Sequence, residues 1–275
     1  MCRFTLYIGT PILLSSLLID PAHSLIRQST HSREREEPLN GDGFGVGWYA
    51  SEYSIEPAVF RSITPAWNNR NLQNLCRVVT SPCIMAHVRA ATQSSGVNEA
   101  NCHPFRYGKY LCMHNGDIGN FRQVRRKLLD SVCDDAHSNV YGSTDSEHFF
   151  ALYIDEILKR HTDGVDDMAE ALRDAIHRVV DFVRKYGDDE PSYLNVAISD
   201  GKMVVVSRFT NDVEDSPESL YYFSGPLYKS VEDEGDELPL IVSSERLSNH
   251  SDWQEVPANH IIKIRHGEAP SFLAI

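Results

Sequence analysis

No two cysteines in this chain form a Cys-x-x-Cys pair, no apolar run approaches the length of a bilayer crossing, and basic residues are in deficit. Each absence removes a class of function. The six cysteines are Cys2, Cys76, Cys83, Cys102, Cys112 and Cys133. Without paired spacing or a secretory signal they read as reduced thiols, and the expected setting is cytoplasmic. The apolar run Pro11 to Ile19 carries two serines and no basic leader, so neither a signal peptide nor a membrane span is expected. Lysine and arginine total 26 against 39 acids, a net charge of −13. That balance disfavours a nucleic-acid binder or an anionic-membrane binder. The acids cluster in Asn211 to Glu218 and Val231 to Glu237, which read as solvated surface.

What is present is enough apolar residue, 41%, to build a core, in a chain whose 275 residues allow one large domain or two small ones. The chain opens Met1-Cys2, followed by the β-rich run Arg3 to Ile8. Cysteine is small enough for the initiator methionine to be trimmed. Cys2 would then carry a thiol and a free α-amine, the latter with a pKa of about 8 in an open chain. Nucleophile and base would come from one residue.

The following stretch Asn40-Gly-Asp-Gly-Phe-Gly-Val-Gly-Trp48 alternates glycine with other residues. A dinucleotide fingerprint would open a helix, and none follows. The pattern instead predicts a strand with a bare face that another backbone or a ligand approaches closely. Cys83 to Arg89 alternates as a strand, with Ile84, Ala86 and Val88 on one face and Met85, His87 and Arg89 on the other. Tyr110 to Met113 reads as a strand broken by a turn at Asn115-Gly116. Asn120 is placed as the cap of a helix with inner residues Phe121, Val124 and Leu128. Thr144-Asp-Ser-Glu147 is a capping box. It starts a helix with Phe150, Tyr153, Ile154, Ile157 and Leu158 inward and Asp145 in the first turn. A long helix is expected over Asp167 to Tyr186, stopped by Gly187. A hairpin turning at Asp200-Gly201 follows, then strands near Leu220 to Phe223, Leu238 to Ser243 and His260 to Ile264. Helices and hairpins fall in separate blocks, which predicts a single α+β domain on antiparallel sheets.

Four polar points fall at element ends: Cys2, Arg89, Asn115-Gly116 and Asp145. Singly, the last three have structural explanations as a salt bridge, a turn and a helix cap. Together they describe a pocket for a γ-glutamyl group. A guanidinium forks onto an α-carboxylate, an Asp holds an α-ammonium, and an amide and a turn N–H face an oxyanion. A zinc site from Cys102, His103, Cys112 and His114 fits no common spacing.

These motifs resemble the class II glutamine amidotransferases, within the N-terminal-nucleophile hydrolases. The resemblance rests on Met1-Cys-Arg-Phe, the glycine-alternating stretch, Ala86-His-Val-Arg-Ala-Ala-Thr92, Asn101-Cys-His-Pro-Phe105, His114-Asn-Gly-Asp-Ile118 and Ser143-Thr-Asp-Ser-Glu147, in the family's order. It implies a four-layer α/β/β/α sandwich of two antiparallel sheets, spanning residues 2–275 as one domain. It implies Cys2 as nucleophile, Asn115 and Gly116 as the oxyanion pair, Arg89 with Thr92 on the α-carboxylate, Asp145 on the α-amine, and His103 at the pocket rim. No metal or cofactor is implied. The family often has tryptophan after the arginine, and Ala90 stands there, so the pocket lid is expected to differ.

Among shorter relatives the sequence resembles the amidotransferase-like subunit of a glutathione-degrading complex and the γ-glutamyl amidase of ergothioneine synthesis. The expected substrate is glutamine or another small γ-glutamyl compound, with a possible protein partner, an ammonia acceptor or a peptidase subunit. The alternative is a partner-binding subunit that keeps the pocket but little of the chemistry.

Overall fold

A computed structural model describes residues 2–34, 39–90, 98–160, 163–225 and 239–275. Met1, Thr92, the charged stretch 35–38, the acidic stretch 231–237 and Leu238 lie outside the described residues.

The elements run β1 (Arg3–Leu13), α1 (Leu14–Leu18), α2 (Leu25–Gln28), β2 (Phe44–Trp48), β3 (Ala58–Ser62), α3 (Arg70–Cys76) and β4 (Thr80–Val88). After β5 (Phe105–Tyr107) and β6 (Tyr110–Asp117) come α4 (Phe121–Leu129), α5 (Asp134–Ser138), α6 (Asp145–Leu158) and α7 (Val165–Tyr186). The chain ends in β7 (Tyr193–Ser199), β8 (Met203–Arg208), β9 (Tyr221–Ser224), β10 (Leu240–Ser243), β11 (Gln254–Glu255), β12 (His260–Arg265) and β13 (Ser271–Ala274).

The strands form two antiparallel sheets. One is ordered β11-β9-β10-β1-β4-β2-β3 and the other β13-β12-β8-β7-β6-β5. Strand alternation then sorts the side chains into three apolar layers. Phe4, Leu6, Ile8 and Met85 meet Leu111, Met113, Val204, Val206 and Ile262 between the sheets. Tyr7, Ile84, Ala86 and Val88 face the other way, onto α1–α3. Cys112, Leu194, Val196, Ile198 and Val205 pack under α6 and α7. The result is the expected four-layer α/β/β/α sandwich.

The bare face of β2 performs the task its glycines suggested. A Cβ at Gly45 would lie 2.1 Å from the His103 carbonyl oxygen, so this backbone rests directly on the strand. At Gly47 the neighbour is a side chain, Leu111 Cδ1 at 2.6 Å.

Several local expectations are corrected. The Asn115-Gly116 pair makes no turn: β6 continues to Asp117, with Asn115 opposite Asn195 and Gly116 opposite Leu194 on β7. The tolerance of glycine for positive φ is used inside the strand, where Gly116 has φ 143°. Asn120 precedes α4, but its side chain caps nothing there and donates instead to the Gly187 carbonyl at 2.8 Å. Leu158 is exposed, whereas the rest of the α6 stripe is buried. That helix is buried nearly all round, and even Asp155 and Glu156 are enclosed beneath Arg178. The first strand extends past Ile8 to Leu13, leaving only five residues for α1. Glu218 is drawn in from the expected solvated stretch toward Arg3, at 3.8 Å.

The two β2 glycines should therefore differ. Gly45→Ala must displace a backbone carbonyl and should cost about 3 kcal/mol, while Gly47→Ala only shifts a leucine and should cost about 1 kcal/mol. Urea unfolding of the two variants measures the difference.

Candidate active site

The site is assembled by strand alternation at one end of the inter-sheet space. Phe4 pairs with His87 and Arg3 with Val88. One further step of the same register sets Cys2 opposite Arg89. The Cys2 thiol lies 3.6 Å from the Ala90 carbonyl oxygen. The Arg89 backbone is clamped on both sides: its N–H donates to Gly43 O at 2.8 Å, and its carbonyl accepts from Asp42 N–H at 3.0 Å. The Asn40–Gly43 turn thus fixes the position of the arginine, whose side chain is buried.

From the facing sheet, Asn115 falls on the same side of β6 as Leu111 and Met113 and so points into the cleft. It is fully buried, and neither its Nδ2 nor its Oδ1 has a partner among the described residues. A buried amide without partners costs about 1–3 kcal/mol. Such a donor is available for a group that arrives. Gly116 beside it cannot carry a side chain: a Cβ would sit 1.8 Å from the Tyr193 carbonyl oxygen.

Asp145 begins α6, where Thr144 caps the helix by accepting from Glu147 N–H at 3.3 Å. The Glu147 carboxylate reaches back to the Thr144 backbone, as the capping box expects, and also accepts from Tyr141 and Gly142 N–H at 3.1 and 2.9 Å. Asp145 Oδ2 accepts from Ile118 N–H at 3.0 Å, tying the helix start to the end of β6.

Electrostatics link these groups. Burial pushes the Cys2 thiol up to about 11. The Ala90 backbone and the Arg89 guanidinium pull against that rise, and Asp145 adds to it. Arg89 and Asp145 are therefore both within electrostatic reach of the sulfur. At rest the thiol keeps its proton and needs a base to become a nucleophile.

His103 lies deeper than the expected rim. It is buried and packed between the tilted rings of His87 and Phe105, with ring centroids 4.1 and 4.4 Å away. Burial and the neighbouring His87 hold it well below the usual histidine range. His114 faces away from the cleft, bonded to Ser146 Oγ at 2.9 Å and the Tyr193 carbonyl at 3.1 Å. Among the described residues no group of three or more His, Cys, Asp or Glu is arranged to hold a metal. A cavity of about 710 Å³ opens at the far end of β1, lined by Ile8, Tyr49, Pro82 and Lys109, and none of the candidate residues borders it.

Three residues beside the site escaped the sequence reading. Arg3 donates from Nη1 to the Cys2 carbonyl at 3.0 Å. Glu245 accepts from Arg3 Nε at 2.8 Å. Asn195, opposite Asn115, donates from Nδ2 to the Glu218 carbonyl at 3.0 Å and leaves its buried Oδ1 without a partner. An arginine within an apolar run, and an asparagine within a hydrophobic strand, were the available signals.

Burial lowers the His87 pKa to about 3, against the support of its bond to the His114 carbonyl at 3.1 Å. An unfolded chain protonates this histidine below about 6.5, whereas the folded one does not. Its contribution to stability is thus complete above that pH and is lost as pH falls toward 3. His87→Gln should flatten the dependence, reducing the stability lost between pH 7.5 and 4.5 by roughly 2.5 kcal/mol. Urea unfolding at the two pH values measures it.

Residues 15–222 match the family model of the class-II glutamine amidotransferases. The probable glutamine amidotransferase DUG3 of Saccharomyces cerevisiae is 39% identical over 294 residues, covering 96% of this chain and 82% of that protein. The gamma-glutamyl-hercynylcysteine sulfoxide hydrolase of Mycobacterium tuberculosis is 26% identical, covering 96% of this chain and 93% of that one. Among solved structures, a glutamine aminotransferase class-II domain protein from Silicibacter pomeroyi superposes with a TM-score of 0.71 at 26% identity, over 99% of both chains. The glutamine phosphoribosylpyrophosphate amidotransferase of B. subtilis, at 12% identity and TM-score 0.62, shares the fold over 49% of its length. By the family match and the extent of its likeness to these relatives, the chain belongs to the class II glutamine amidotransferases.

Proposed function

We propose that the protein hydrolyses the γ-glutamyl amide bond of glutamine or of a small γ-glutamyl compound, with Cys2 as nucleophile. The observation that carries this reading is that Arg89 and Asp145 both act electrostatically on the Cys2 sulfur, while a buried, unpartnered Asn115 amide on the facing sheet points into the same inter-sheet space. The glutamate head is recognised by charge: Arg89 takes the α-carboxylate and Asp145 the α-ammonium. Thr92 lies outside the described residues, and its part in holding the α-carboxylate belongs to the proposal. His103, buried between His87 and Phe105, takes no part in the proton transfers.

The steps follow from the positions. With Met1 removed, the Cys2 α-amine, directly or through a water, takes the thiol proton as sulfur attacks the γ-carbon. The new oxyanion is held by the Asn115 amide and the Gly116 backbone. The tetrahedral intermediate collapses, the C–N bond breaks, and the leaving nitrogen takes the proton back from the α-ammonium. Water then hydrolyses the γ-glutamyl thioester, releasing glutamate and restoring the thiol.

A leaving group larger than ammonia is supported by the relative named as a hydrolase of a γ-glutamyl compound. A second protein that accepts the ammonia, or a peptidase subunit that takes the released amine, fits the same chemistry. The single-domain reading over 2–275 is supported by the chain's first strand, which lies within one sheet, and its last, which pairs within the other. No helix among the described residues is long and apolar enough to cross a membrane.

Three measurements test the proposal. Intact mass should correspond to a chain starting at Cys2. Glutamine, glutathione and other γ-glutamyl amides, assayed side by side, should include at least one substrate, and Cys2→Ala should abolish its turnover. Asn115→Ala should lower kcat about 100- to 1000-fold, as expected for the loss of one oxyanion donor. Unchanged turnover in Cys2→Ala would falsify the mechanism.

A further inference from the structure

Cys2 faces the cleft, so the next residue, Arg3, faces the opposite side of the sheet. Its side chain is among the largest that are fully buried. A buried guanidinium is costly unless its donors and its charge are matched. Here they are. Nε donates to Glu245 Oε1 at 2.8 Å, Nη1 to the Cys2 carbonyl at 3.0 Å, and Nη2 to the Glu34 carbonyl at 3.5 Å, while Glu218 lies 3.8 Å from Nη1.

Glu245 is itself 1% exposed and held from several sides. It bonds His23 Nε2 at 2.6 Å and accepts from Ser32 Oγ and from Arg33 N–H at 3.0 Å. Burial raises its pKa, but the hydrogen bonds from His23, Ser32, Arg33 and Arg3 outweigh it and hold the carboxyl well below the usual range. The acid is a fixed anion under the chain start.

An ion pair this deep is weak evidence for stability, since apolar residues of similar size often serve as well. What an apolar residue cannot do is hold the carbonyl of Cys2. The ladder between β1 and β4 begins at Arg3, so Cys2 lies just beyond it. The Arg3 guanidinium supplies the missing hydrogen bond.

We propose that Arg3 is a positioning residue for the nucleophile: anchored by Glu245, it holds the Cys2 carbonyl and so fixes where the thiol and the α-amine point. This rests on the reading of Cys2 as nucleophile. Arg3 touches no substrate and acts only through Cys2. The sheet thus divides the labour of adjacent residues, with chemistry on its inner face and anchorage on its outer face.

The test uses the full-length protein and the variants Arg3→Lys, Glu245→Gln and Ser32→Ala, the last removing one donor to Glu245 without changing charge. Intact mass first verifies removal of Met1, and thermal unfolding verifies folding. Two readouts follow: kcat and KM for a γ-glutamyl substrate, and the pH profile of Cys2 alkylation by iodoacetamide, resolved by peptide mass spectrometry. The exposed Cys133 serves as internal reference.

Folded Arg3→Lys should lose about 10- to 100-fold in kcat with KM within about threefold, the mark of a misplaced reacting group. Its Cys2 alkylation midpoint should rise by about half a pH unit or more, because the thiol loses its fixed place near Arg89. Cys133 should not change. Glu245→Gln should shift both readouts in the same direction, and Ser32→Ala should do so more weakly. If Arg3→Lys does not fold, Glu245→Gln and Ser32→Ala decide the matter by the same readouts. A wild-type kcat and Cys2 profile in a folded Arg3 or Glu245 variant overturns the proposal. So does a loss of kcat that follows melting temperature alone while the Cys2 profile stays put. Turnover by Cys2→Ala would instead overturn the nucleophile reading, and the alkylation profile separates the two because it needs no substrate.

Discussion

The register between β1 and β4 is the constraint on which the site depends. Side chains alternate with a period of two along each strand, so a slip of one residue would exchange every inward side chain for an outward one. Cys2 would then leave the cleft and the Arg3 guanidinium would enter it. The observed pairing, Phe4 with His87 and Arg3 with Val88, is secured on both faces. Phe4, Leu6 and Ile8 bury one face against the facing sheet, and Tyr7 buries the other under the outer helices. The contact between the Gly45 strand and the His103 backbone fixes the neighbouring edge of the same sheet.

Much of this was legible because alternation is a local property. The faces of Cys83 to Arg89, the bare side of the glycine stretch, and the hairpin at Asp200-Gly201 all follow from short-range pattern, and the fold realises them. The errors came where one residue property serves two purposes. Asn-Gly tolerates positive φ in a turn, but here Gly116 uses it within a strand whose ladder partner, Leu194, lies 78 positions away in sequence. Asn120 has the chemistry of a cap, yet the Gly187 carbonyl competes successfully for its amide. Arg3 and Glu245 are 242 positions apart, and no local pattern joins them. Nor does period or propensity indicate that Glu218 turns inward, since only the buried guanidinium gives it a reason to.

The cleft also carries polar groups that the fold leaves unsatisfied. Asn115 has two orphaned side-chain atoms, and its cross-strand neighbour Asn195 has one. Each such group costs free energy in the unliganded protein, and a core selected for stability alone would place apolar residues there. A free amide donor on Asn115 makes sense if a carbonyl oxygen is to arrive between the sheets, and a free acceptor on Asn195 if an N–H accompanies it. Asn195 is oriented by its bond to the Glu218 carbonyl, so its acceptor oxygen is what remains on offer. Other buried polar atoms without partners, such as Tyr153 Oη within the helix layer, lie elsewhere in the fold, so it is the pairing of two such amides across β6 and β7 that sets this place apart.

The state of the thiol completes the physical picture of the proposed chemistry. Burial holds the thiol well above its ordinary range, and a terminal amine titrates near 8 in an open chain, so moving the proton between them before attack would be uphill. A zwitterionic glutamate head does little to close that gap. Its carboxylate offsets Arg89, which supports a thiolate, and its ammonium offsets Asp145, which opposes one. The two changes act in opposite directions. The deficit is better met after bonding begins, when negative charge moves from sulfur to the γ-oxygen and meets the Asn115 amide. The proton would therefore leave as the carbon–sulfur bond forms, not before. That timing suits a thiol kept inert by burial, and it requires the amine, the sulfur and the amide donor to be held in place together.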